Sequence, residues 1–226
     1  MFVPLYDHNR LDHVTRPYVN YAFIGLNVII FAVLQRFGLG ETATASAYSH
    51  GLVPSVFFEI KELPAELQVL PDYVSIFTYA FLHGDFWHLS GNMLFLWVFG
   101  DNIEDALGHV RYFFFYLLCA AAGGLFYTLA NFGSDVPLVG ASGAVAGVVG
   151  AYLVLHPKVM IWVLALGRFP VPIPAGLVLG FWVGYQVFNA VFGPESHIAW
   201  SAHIGGILAG CLLVVFMRRR GVQLFD

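Results

Sequence analysis

Apolar stretches of about 18 residues or more recur along the whole length of this chain, each long enough to cross a ~30 Å hydrocarbon core as an α-helix. Nothing else in the sequence restricts the fold as much. Of the 226 residues, 59% are hydrophobic and 11% charged, with a mean hydropathy of +0.75, which is not the balance of a soluble domain. The expected fold is all-α: a polytopic membrane protein with a bundle of six transmembrane helices.

The six expected spans cover residues 18–35, 87–99, 112–131, 144–156, 175–192 and 199–217. Residues 1–17 then form an N-terminal segment, 18–217 the membrane domain and 218–226 a C-terminal tail. Two spans are short. The second must recruit part of 76–82 or 100–105, and the fourth starts at a glycine-rich entry below the membrane surface, where irregular backbone is tolerated only if it is buried in protein or faces water.

Residues 1–16 are polar, carrying Asp7, His8, Arg10, Asp12 and His13, so they do not read as a cleaved signal peptide. With the N-terminus inside, Arg10, Arg16, Arg111, Lys158, Arg168, Arg218, Arg219 and Arg220 are cytoplasmic, eight of the ten lysines and arginines. Arg36 and Lys61 fall outside. Both termini are thus expected in the cytoplasm, with a prokaryotic cytoplasmic membrane as the expected location.

A net charge of −4 and the lack of any basic tract beyond Arg218–Arg220 leave no electrostatic footprint for nucleic acid. Cys119 and Cys211 lie inside apolar runs and read as small buried hydrophobes, without a disulfide framework or a cysteine zinc site. The long connection 36–73 mixes Glu41, Glu59, Glu62, Glu66 and Asp72 with Leu52, Val56, Phe57 and Phe58, and reads as a part-amphipathic segment lying at the interface. Three prolines in 165–174 break helix and delay the fifth span.

Polar side chains inside spans are costly and so mark function. His88, Asn92, Ser142 and His203 are the four candidates. Ser142 follows Gly140 and Ala141 at the start of the fourth helix. It reads either as an N-cap or as a nucleophile held where free helix N–H groups favour a developing oxyanion. His203 shares a helix face with Gly206 and Gly210, and the fourth helix carries a matching row of Gly143, Gly147 and Ala151. Were the rows to face each other, the imidazole would come within reach of the serine as a general base; otherwise His203 is a hydrogen-bonded core residue. His88 and Asn92, four apart, share a face and read either as a structural hydrogen bond or as side-chain donors to an oxyanion.

His83 reads as an entry-loop residue and His197 as part of the outer loop before the sixth span. Glu104 and Asp105 fall at the cytoplasmic end of the second span as structural or capping groups. No intramembrane carboxylate is available to orient His203, so the expected unit is a Ser–His dyad.

In order on the second, fourth and sixth spans, His88-x-x-x-Asn92, Gly140-Ala141-Ser142-Gly143 and Ala202-His203-Ile204-Gly205-Gly206 resemble the rhomboid protease family. Phe81-Leu82-His83-Gly84 and Gly100-x-x-x-Glu104 are similar as well, and the pattern runs from about Ser75 to Arg218. The resemblance implies an intramembrane serine endopeptidase without cofactor or metal. In it Ser142 attacks the scissile carbonyl, His203 takes and returns the proton, and His88, Asn92 and the Ser142 N–H hold the oxyanion. Gly140, Gly143, Gly206 and Gly210 support them.

Implied substrates are transmembrane or membrane-associated proteins, cut near the outer face at small residues beside helix-weakening ones. The fifth helix would be the gate and residues 193–196 the cap. Two positions depart from the family pattern: Ala146 stands where many relatives carry an aromatic packed on the histidine, and 36–73 lacks a Trp-Arg pair. The rivals are a non-catalytic binder of transmembrane segments, which typically loses the Ser or His, and a histidine-based metal or proton transporter, disfavoured by the order of the motifs. A metalloprotease reading lacks His-Glu-x-x-His.

Overall fold

The computed structural model describes residues 3–165, 167–193 and 198–226. Its helices are α1 (Tyr18–Val33), α2 (Gly40–His50), α3 (Pro54–Phe57), α4 (Ser75–Thr78), α5 (Phe86–Phe95), α6 (Asp101–Leu107), α7 (His109–Ala130), α8 (Ser142–Leu155), α9 (Ala175–Phe192) and α10 (Trp200–Met217). The chain is mostly helical. Among the described residues, α7, α9 and α10 are long and apolar enough to cross a membrane, while α1 and α8 are shorter apolar helices. Gly108 ends α6 at φ +83° and separates it from α7.

The second expected span is longer than its apolar core. From α5 the helix continues through a π-turn at Leu96–Gly100 into α6, so it recruits 100–105, while 76–82 belongs to α4 and a separate 3₁₀ turn. A π-turn frees backbone groups, which at membrane depth need a partner. Asn20 of α1, fully buried, supplies one: its amide donates to the Leu96 carbonyl (2.8 Å) and its carbonyl accepts from the Tyr112 hydroxyl (2.9 Å).

Glu104 and Asp105 turn out to be caps for another part of the chain. Pro17, at the N-cap of α1, offers no side-chain acceptor. The fully buried Glu104 carboxylate takes the N–H groups of Val19 (3.0 Å) and Asn20 (2.7 Å) instead, and pairs with His109. Two orphan donors of α1 and the positive end of its dipole are thereby met from α6. Asp105 accepts from the backbone N–H groups of Asp12, His13 and Val14, fixing the approach to α1.

A small sheet corrects the all-α expectation. β1 (Val3–Asp7), β2 (Met160–Ala165) and β3 (Phe169–Pro174) form an antiparallel sheet in the order β1-β2-β3. The three prolines shape an edge strand rather than merely breaking a helix. Pro170, Pro172 and Pro174 lie opposite Leu164, Trp162 and Met160, while Phe169, Val171 and Ile173 face Ala165, Val163 and Ile161. Proline has no N–H, so it fits the positions of an edge strand whose donors would point away from the partner. Asp7 accepts hydrogen bonds from the Tyr152 hydroxyl of α8 and the Asn102 amide of α6 (3.0 Å), tying the sheet to the bundle. The tail returns as well: Phe225 and Asp226 donate their backbone N–H groups to Val154 and Leu155.

The long connection holds α2 and α3 and needs no Trp-Arg pair. Leu52, fully buried, exchanges backbone hydrogen bonds with Leu138 (3.1 and 2.9 Å), and the Thr78 hydroxyl bonds the His50 carbonyl (2.6 Å). This joins the connection to the strand-like segment that leads into α8.

Candidate active site

Helices α7, α8 and α10 meet where α8 begins. An added Cβ at Gly206 would lie 1.9 Å from the Gly143 carbonyl oxygen, and one at Gly210 would lie 1.9 Å from that of Gly147. The small-residue rows of α8 and α10 therefore face each other at backbone contact. Gly123 of α7 closes the third side: a Cβ there would stand 2.8 Å from the Ala202 carbonyl oxygen and 3.2 Å from the Gly143 Cα. Ser142 and His203, the sequence neighbours of Gly143 and Ala202, consequently sit at one level of this seam. Below it, Cys119 is fully buried against Gly147, and the Cys211 thiol donates to the Gly150 carbonyl (3.4 Å).

The turn before Ser142 is held by its backbone. Gly140 has φ +127°, a conformation that disfavours side chains. Its N–H donates to the Tyr79 carbonyl (3.0 Å), and the Ala141 N–H points at His83 Nε2 (3.5 Å). Tyr79, fully buried, bonds the Ala120 carbonyl through its hydroxyl (2.7 Å) and so braces the turn against α7.

The cap reading of Ser142 does not describe this arrangement. Ala141 is the N-cap, no side chain caps α8, and Ser142 is the first helical residue. Among the described residues the Ser142 hydroxyl has no hydrogen-bond partner, His203 included. Among the described residues the hydroxyl and the first N–H groups of the helix are uncommitted, and those N–H groups are open to a developing oxyanion.

His88 packs over the same turn. A Cβ built on Gly140 would lie 2.7 Å from His88 Nε2 and 3.6 Å from Ser142 Oγ, so the imidazole and the hydroxyl flank one glycine that has to be a glycine. Asn92 is turned back along its own helix, its amide donating to the His88 carbonyl (3.1 Å). His83 lies in the loop before α5, as expected of an entry residue, but is fully buried, with its ring edge-on to His88 at 5.2 Å. His197 and most of the expected cap, residues 194–196, lie outside the described residues.

His203 is buried and its ring is boxed. Nδ1 lies 2.8 Å from Gln186 Oε1 on α9. Trp182 stacks on the ring (centroids 6.3 Å apart, 25° between planes) and Trp200 meets it edge-on (6.0 Å, 90°). These groups occupy the role left open by Ala146, and sequence reasoning missed them. Gln186 carried a signal, a polar residue inside an apolar span; Trp182 and Trp200 had none to separate them from other aromatics.

Comparisons with known proteins identify the family. A family profile described as Rhomboid domain matches residues 71–220. The chain is 32% identical over 204 residues to Rhomboid protein 1, mitochondrial, of Saccharomyces cerevisiae, covering 85% of this chain and 51% of that protein. It is 29% identical over 198 residues to Rhomboid protease GluP of Bacillus subtilis, covering 86% of this chain and 34% of that protein. To Rhomboid protease AarA of Providencia stuartii it is 30% identical over 157 residues, covering 59% and 52%. The chain spans about half or less of the length of these relatives.

Proposed function

Because this chain belongs to the rhomboid family, we propose that it is an intramembrane serine endopeptidase that cuts transmembrane or membrane-associated proteins near the outer face of the bilayer. The observation that carries this reading is the uncommitted Ser142 hydroxyl, first in α8, level with His203 and flanked by His88. Two relatives, GluP and AarA, are named as proteases.

In the proposed reaction Ser142 Oγ attacks the scissile carbonyl carbon while its proton passes to His203 Nε2. The carbonyl oxygen becomes an oxyanion, stabilised by the Ser142 N–H and by the side chains of His88 and Asn92. The C–N bond then breaks, His203 returns the proton to the leaving amine, and an acyl-enzyme ester remains on Ser142. A water molecule, deprotonated by His203, hydrolyses the ester and restores the serine. Forming the dyad hydrogen bond and freeing the Asn92 amide from the His88 carbonyl are steps that belong to substrate binding, since catalytic contacts tighten in the Michaelis complex.

The membrane part of this reading is a domain over 18–217 with six spans: α1, the run from α5 through α6, and α7 to α10. Both termini lie in the cytoplasm and α9 is the gate. The proposed location is a prokaryotic cytoplasmic membrane.

A serine-directed fluorophosphonate probe tests the chemistry. It is expected to label the wild-type chain in liposomes and not Ser142→Ala; a chain that stays unlabelled would instead be a non-catalytic binder of transmembrane segments. For the oxyanion donors, His88→Ala and Asn92→Ala are each expected to slow turnover of a model transmembrane substrate by up to about 10²-fold. A double variant that cleaves at the wild-type rate would leave both residues a purely structural role.

A further inference from the structure

Gln186 is the side chain through which α9 is joined to His203. The helix has a second amide nearby, but Asn189 donates to the Tyr185 carbonyl of its own helix (2.8 Å). Gln186, 3% exposed, crosses to α10 and places Oε1 2.8 Å from His203 Nδ1. With the Gln186 amide turned so that its oxygen faces the ring, that oxygen can only accept, and the proton of this bond then belongs to Nδ1. A neutral imidazole carries one N–H, so Nε2 is left with the lone pair. Trp182 and Trp200, stacked on the ring and edge-on to it, restrict its rotation.

We propose that Gln186 is a positioning residue that holds His203 in the tautomer protonated on Nδ1, so that Nε2 serves as the base toward Ser142. This rests on the Ser142–His203 reading above. In Ser-His-Asp units a carboxylate fixes the same tautomer and also stabilises the imidazolium. A carboxylate buried in a bundle at membrane depth would be costly to desolvate. The neutral amide sets the tautomer without burying a charge. Among the other elements around His203, His88 of α5 is within electrostatic range and titratable. Trp182 and Trp200 do not titrate, and α7 and α8 meet α10 at this level through Gly123 and Gly143.

The test uses the full chain in liposomes with a model transmembrane substrate, comparing wild type, Gln186→Leu and Gln186→Glu. Gln186→Leu is expected to lower kcat by about 10²-fold with KM little changed, because much of the imidazole then carries its proton on the wrong nitrogen. Gln186→Glu keeps an acceptor at the same place and is expected to recover most of the turnover. Its negative charge favours the imidazolium, so the acid limb of its kcat profile moves up by about one pH unit or more. A packing role alone would give no loss of kcat in Gln186→Leu that Gln186→Glu recovers; the shifted profile reports that the introduced carboxylate reaches His203.

The tautomer is read directly by ¹⁵N spectroscopy of histidine-labelled protein, with His203→Ala identifying the signal. Protonated Nδ1 in the wild type is the expected result, and protonated Nε2 overturns the proposal even if Gln186→Leu does not fold. Wild-type kcat in Gln186→Leu, with Ser142→Ala inactive, would overturn the role of Gln186 and leave the dyad standing. Full activity in Ser142→Ala would overturn the dyad, and the Gln186 proposal with it.

Discussion

Ser142→Ala and His203→Ala are each expected to abolish cleavage of a model transmembrane substrate in reconstituted liposomes, with losses of about 10⁴-fold or more. Nucleophile and base act as one unit, so the double variant should be no worse than either single one. The stability of Ser142→Ala separates chemistry from structure. The hydroxyl makes no hydrogen bond among the described residues and Ala141 occupies the N-cap, so thermal unfolding in detergent should be unchanged. A capping serine would instead cost about 1 kcal/mol on replacement by alanine. Undiminished cleavage by either single variant would refute the dyad.

Gly206→Ala is expected to be, with Gly210→Ala, among the most disruptive additions of a single methyl group to this protein. Its Cβ would sit 1.9 Å from the Gly143 carbonyl oxygen and 2.9 Å from the carbonyl carbon, and backbone cannot rotate aside as a side chain can. The helices α8 and α10 would have to move apart along a seam that has no spare room. Overpacking costs about 3 kcal/mol in such a case, and the same displacement draws His203 away from Ser142, so activity falls along with stability. Gly180→Ala and Gly184→Ala on α9 are the controls. Neither added Cβ would meet anything within 4 Å, and the helix propensity of alanine bounds the change at about 1 kcal/mol, in the stabilising direction. Thermal unfolding of the three variants checks the contrast. A Gly206→Ala protein as stable as the controls would mean that the seam yields.

The helices were legible because their signal is local. Expected boundaries at 175–192 and 199–217 meet α9 and α10 within one residue, since a run of apolar residues ended by proline, glycine or arginine needs no distant partner to be read. The glycine rows of α8 and α10 were visible as spacing, and Glu104 and Asp105 were legible as structural or capping carboxylates at a helix end, though not that the segment they hold is the start of α1 and the approach to it. What escaped depends on pairing across the chain. β1 meets β2 more than 150 residues away in sequence, and alternating prolines read as breakers until the partner strand shows which side they face. The Leu52–Leu138 bridge that secures the long connection leaves no mark in composition. The Gln186 contact with His203 joins two helices by side chains alone, and only the cost of a buried amide hinted at it.

The small sheet has a bearing on how copies of this protein live together. Proteins in a bilayer share one orientation and one depth, so the strand edges of neighbouring copies sit at the same height and meet by lateral diffusion in two dimensions. That geometry favours edge-to-edge polymerisation far more than free tumbling in water does. Both edges here are poor templates. β3 presents a side from which Pro170, Pro172 and Pro174 have removed the donors, and β1 carries Pro4 and a register break between Pro4 and Tyr6. Among the described residues the sheet stops at three strands, and its proline-bearing edges discourage growth by addition of a neighbour's strand.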